Sequence, residues 1–194
     1  MEFKKISKKI KKIIDSKDGL SAIEFVFGAL ICIILFAGVL DFLTISNRMQ
    51  AMSTSMTYLS RTISNQGCLA NDPVTTCTLD GNQGYDIDYI KNKKFVTSSE
   101  MYQQIERIMS NEKIPNSDWE VRVDGKVLTP GTTTKLFKFR DKIRIDIEIK
   151  YQWKSLSSLL PFNIPERKFF SNQQIVNTYK FRNQDSDSGF DYGP

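Results

Sequence analysis

The longest apolar run in the chain is Phe25 to Leu40, sixteen residues with no charged or strongly polar side chain. Counted from Leu20 to Leu43, the stretch has 24 residues, about 36 Å of α-helix at 1.5 Å per residue. That length is enough for a hydrocarbon layer about 30 Å thick. Beyond Asp41 the pattern changes without stopping. Phe42, Ile45, Met49, Met52, Met56, Leu59 and Ile63 recur every three or four residues, a narrow helical stripe, and Gly67 supplies a helix end. Residues 20–43 therefore read as a membrane span and 44–66 as a stalk continuing the same helix, with the methionines packing against a domain that follows.

That domain carries shorter signals. Thr97 and Glu100 have the spacing of a capping box, and Met101, Tyr102, Ile105, Ile108 and Met109 form a stripe behind them, which predicts a second helix. Asp124-Gly125 lies between two β-prone runs in WEVRVDGKVL, a two-residue hairpin turn. Ile143, Ile145, Ile147, Ile149, Tyr151 and Trp153 alternate with Arg144, Asp146, Glu148, Lys150 and Gln152, the clearest strand in the chain. A further strand is expected within KFFSNQQIVNTYKF, after Pro161 and Pro165. The expected fold is α+β, with an antiparallel sheet of three to five strands packed on the stalk helix. The head covers residues 67–182, and 183–194 reads as a flexible tail.

Charge changes the picture at one end. The formal charge is +5, but Lys4, Lys5, Lys8, Lys9, Lys11, Lys12 and Lys17 all precede Gly19; residues 20–194 hold 20 basic and 19 acidic side chains. The basicity belongs to a leader, residues 1–19, and the positive-inside rule puts that leader in the cytoplasm and the head outside it. Ile6, Ile10, Ile13 and Ile14 also recur at helical spacing, so the leader can lie on anionic lipid as well. The signs on the long strand cancel, which argues against a nucleic-acid groove.

The chain has no histidine. Ser-His and Cys-His catalysis are therefore excluded, and no phosphate-binding glycine loop is evident. Asp86 and Asp88 read as solvated turn residues, so no enzyme, cofactor or metal site is expected. Of the three cysteines, Cys32 lies inside the span and reads as packing. Cys68 and Cys77 flank a turn at Asn71, Asp72 and Pro73 and are expected to pair as a disulfide outside the cytoplasm. A zinc site, the rival reading, would have to recruit carboxylates.

No A-x-A-like signal cleavage site follows the apolar run, and Ile31 precedes Cys32 where a lipoprotein site needs a small residue. Any processing then falls on the cytoplasmic side, in DGLSAIEF, Asp18 to Phe25. Gly19, Glu24 five residues later, and aromatic Phe25, behind a lysine leader and before an apolar run, resemble the prepilin peptidase site of type IV pilins. The closest resemblance is to the tight-adherence (Tad/Flp) branch, although Phe25 stands where its major pilins usually have Tyr. Those major pilins are very short, so the added head resembles the TadE/TadF-like minor pseudopilins instead.

The resemblance covers residues 4–43. It implies a pilin-like fold, cleavage between Gly19 and Leu20 by prepilin peptidase, and Glu24 and Phe25 as the processing and assembly motif. Implied partners are the cytoplasmic membrane, the peptidase, the major pilin, other minor pseudopilins and the pilus assembly platform, with roles in assembly, initiation or adhesion. The alternative is an uncleaved, single-pass anchor whose head binds an extracytoplasmic ligand.

Overall fold

A computed structural model describes residues 17–77 and 95–179. Most of the lysine leader, the polar stretch with Asp86 and Asp88, and the tail 183–194 lie outside the described residues. Helix α1 (Lys17–Gln66) runs without interruption through the residues expected to form the span and the stalk. It ends where the sequence places a stop: Gly67 has φ +68° and its N–H donates to the Ile63 carbonyl at 2.8 Å. A left-handed residue just past the last turn satisfies one of the carbonyls that a helix end leaves open.

Contacts divide the described residues into two compact units, one with residues 17–44 and 152–165, the other with 45–77, 95–151 and 166–179. In the second unit a short helix α2 (Pro73–Thr76) follows α1, and α3 (Ser98–Asn111) starts with the expected capping box, Thr97 and Glu100 bonding each other's backbone. Met101, Ile105 and Met109 on α3 are fully buried. Strands β1 (Trp119–Val123) and β2 (Lys126–Val127) form the hairpin, with Asp124 and Gly125 at φ +51° and +79°, the doubly positive signature of a type I′ turn.

Strands β3 (Lys142–Tyr151) and β4 (Arg167–Val176) complete a four-stranded antiparallel sheet of order β2-β1-β3-β4. The register sets Val121 opposite Ile147 and Ile147 opposite Ser171. All four isoleucines of β3 are buried, and they share one core with Met52, Met56, Leu59 and Ile63 of α1 and with the α3 stripe. An α+β layout with the sheet on the helix is thus observed. On the opposite face of β3, Arg144 pairs with Asp146 at 2.9 Å and Glu148 with Lys168 at 2.5 Å.

Three expectations need correction. Phe42 and Met49 are exposed, at 62% and 48%, whereas Arg48 is half-buried and Ser55 and Gln66 are buried on α1. The buried face runs one position away from part of the apolar stripe because Arg48 and Gln66 find partners there, whereas the buried Ser55 hydroxyl has none among the described residues. Arg48 donates to Asp118 at 3.1 Å and to the Lys150 carbonyl, while Gln66 bonds Cys68 and Val96 backbone. Trp153 is not in the strand, which ends at Tyr151. It opens a helix α4 (Lys154–Leu159) that the alternation conceals.

Candidate functional site

Gly19 and Leu20 lie in the first turn of α1, and Glu24 and Phe25 follow one turn later, both exposed, Phe25 to 77%. A helix sets residues four apart on one face, so position 20 and Glu24 share a face about 6 Å apart along the axis. The surface behind them is apolar on every side. Val26, Phe27, Leu30, Ile31, Ile33, Leu35, Phe36, Val39 and Leu40 are all more than half exposed. This is one helix long and apolar enough to cross a membrane. A surface of this kind exceeds what a water-soluble monomer exposes and calls for lipid or other apolar helices. Nothing lies within 4 Å of a Cβ built at Gly28, and Cys32 is an exposed free thiol, so this stretch is open to close approach by another helix.

Asp41 ends the apolar run and is buried within the same unit. Its two carboxylate oxygens accept the N–H groups of Ser155 and Leu156 at 3.0 and 2.9 Å. These are N-terminal donors of α4, whose own N-cap Trp153 offers no side-chain bond, so the cap comes from α1. A carboxylate at a helix N-terminus also meets the favourable end of the helix dipole. The sequence marked Asp41 only as the end of the span. The available signal was its place four residues before Ile45 and seven before Arg48, in line with the buried face.

In the other unit Cys68 and Cys77 form a disulfide with Cα atoms 6.5 Å apart. Both are fully buried and belong to a small cluster with Ala70, Phe95 and Leu136. The thiols are spent on each other, so the zinc reading fails. Asn71, inside the closed loop, accepts from Ser98 Oγ, Ser99 N and Ser99 Oγ at 2.8 to 3.0 Å and so ties the loop to the start of α3. A bridge closing so short a loop is worth about 2 to 3 kcal/mol in the chain-entropy model. Replacing both cysteines by serine is expected to lower the unfolding free energy by that amount. Alkylation of the unreduced, denatured protein is expected to modify Cys32 alone.

No family model, curated protein or solved structure matches this chain.

Proposed function

We propose that the chain is a minor pseudopilin of a Tad/Flp-type pilus, pilin-like in fold and cleaved by prepilin peptidase between Gly19 and Leu20. It is retained in the cytoplasmic membrane through residues 20–43, with its amino terminus inside and its head outside. It acts in pilus assembly, initiation or adhesion by packing its apolar helix among those of the major pilin, other minor pseudopilins and the assembly platform. It uses no cofactor, performs no catalysis and binds no nucleic acid.

The observation that carries this reading is the contrast along α1. From Met52 to Ile63 the helix buries a stripe in a globular core, whereas from Phe25 to Leu40 it leaves apolar side chains exposed on nearly all sides, with Glu24 exposed at the start. Lipid explains the apolar side chains but not a carboxylate, which is costly in hydrocarbon and usually functional there. Cleavage before Leu20 supplies a countercharge, because the new α-amine is cationic below its ordinary pKa of about 7.7 to 8.0. The disulfide in the head fits an oxidising compartment and the lysine leader a cytoplasmic one.

The test is the amino-terminal mass of the full chain expressed with and without a Tad-type prepilin peptidase. A mature chain beginning at Leu20 only when the peptidase is present is the expected result. An intact leader beside an active peptidase rejects the pseudopilin and leaves the anchored binding protein.

A further inference from the structure

We propose that residues 152–165 are an interfacial arm that inserts into the lipid leaflet at the carboxy-terminal end of the span, beside α1. The inference rests on reading residues 20–43 as a membrane span. The arm and the span belong to one compact unit. Their contact fixes the arm's height along the helix. Leu156 lies against Gly38, 3.9 Å from where a Cβ would stand, and the arm's backbone is bonded to Asp41. Gly38 is five residues before Leu43, so the arm sits within the last two turns of the span, about 7 to 8 Å inside its end at 1.5 Å per residue. Amphipathic segments that lie in the boundary between headgroups and acyl chains reach a depth of about 5 to 10 Å.

The arm's chemistry suits that depth. Lys154 is the one charged side chain in residues 152–165, and it is exposed, where a long stem can carry an ammonium to the phosphates. Trp153 precedes it, a residue enriched in the membrane interface. Leu159 and Phe162 are exposed to 45% and 62%, apolar side chains in the same unit as the exposed apolar residues of α1.

Much of the arm's backbone is also bonded within the protein, which is a second, independent observation. At this depth an N–H without an acceptor is penalised, so irregular chain is tolerated only when its polar groups are bonded within the protein. Ser155 and Leu156 donate to Asp41, Ser157 to the Trp153 carbonyl, Leu160 to the Leu156 carbonyl, and Ile164 to Ser157 Oγ. Pro161 and Pro165 have no N–H to satisfy. Asp41 is thereby explained as well: its carboxylate is covered by the arm at the point where the apolar run meets the interface.

The experiment places a nitroxide at Phe162→Cys in the full chain carrying Cys32→Ala. The protein is reconstituted alone in vesicles of phosphatidylethanolamine and phosphatidylglycerol. Collisions with oxygen, which concentrates in lipid, are compared with collisions with a water-soluble nickel chelate. Several-fold more frequent collision with oxygen is expected at Phe162 and again at Leu159→Cys. Collision dominated by nickel at both positions, with a Phe36→Cys label still reading lipid, overturns the arm and leaves the span. Water exposure at Phe36 overturns the span and the arm with it. Protection from both reagents at Phe162 and Leu159 means that protein, such as a second copy, covers the arm, and overturns lipid as its occupant.

Discussion

Gly67→Ala is expected to destabilise the head far more than an ordinary glycine substitution, by about 3 kcal/mol or more. Two costs add. At φ +68° an L side chain is strained by roughly 1 to 2 kcal/mol. The new Cβ would also stand 2.7 to 2.9 Å from the side-chain nitrogen, oxygen and carbon of Asn177, closer than such atoms can approach. Asn177 cannot simply step aside. It is fully buried, donates to the Phe137 and Lys138 carbonyls at 2.7 and 3.1 Å, and accepts from Tyr179 N–H at 3.0 Å. Displacing it strands buried backbone groups at about 1 to 3 kcal/mol each. Gly125→Ala is the control, because Gly125 has φ +79° but nothing within 4 Å of its Cβ position. It should cost only the conformational part. Thermal or denaturant unfolding of both full-length variants in detergent, followed by near-ultraviolet circular dichroism, reads the difference; equal destabilisation would mean that Asn177 does not hold Gly67 as described.

The same residues explain what the sequence made legible. Signals between near neighbours were readable because their physics is local: the capping box at Thr97 and Glu100, the doubly positive turn at Asp124-Gly125, the left-handed stop at Gly67, and the isoleucine alternation of β3. Partners remote in sequence were not. Asp41 meets Ser155 across 114 positions, Arg48 meets Asp118 across 70, and Asn177 meets Phe137 across 40. An apolar periodicity counts none of these polar residues as buried, and so it drifted onto Phe42 and Met49. Helix α4 was hidden because Tyr151, Gln152 and Trp153 continue the β3 alternation, and because its cap is supplied from another element. In the candidate site, Cys68 and Cys77 were legible as the two cysteines outside the span. Glu24 was legible as a carboxylate at the edge of an apolar run. In the proposed assembly, what Glu24 meets depends on neighbouring chains, and one chain's pattern does not contain them.

Glu24→Ala is expected to reduce pilus assembly about thirtyfold or more while leaving cleavage after Gly19 intact. The magnitude follows from the charge left behind. In the proposed mature chain the Leu20 ammonium and the Glu24 carboxylate lie one turn apart, so they can neutralise each other within one helix or between neighbours. Without Glu24 the ammonium enters the packed bundle alone. A lone charge at the centre of a bilayer costs about 2.5 to 3.5 kcal/mol on insertion scales. About 2 kcal/mol is a fair figure nearer the boundary, and at 1.4 kcal/mol per tenfold it corresponds to roughly thirtyfold in association. Pairing between chains would add register, since sliding one helix by a turn leaves both charges unmatched and incurs the penalty twice. Glu24→Gln separates charge from shape: it keeps the side chain's length and hydrogen bonding, and if countercharge is what matters it should fail nearly as badly as alanine. The measurement is the number of surface pili per cell, taken with the amino-terminal mass of each variant. Wild-type pilus numbers for a correctly cleaved Glu24→Ala protein would remove Glu24 from assembly altogether. Assembly restored by glutamine but not by alanine would assign it a hydrogen bond in place of a charge.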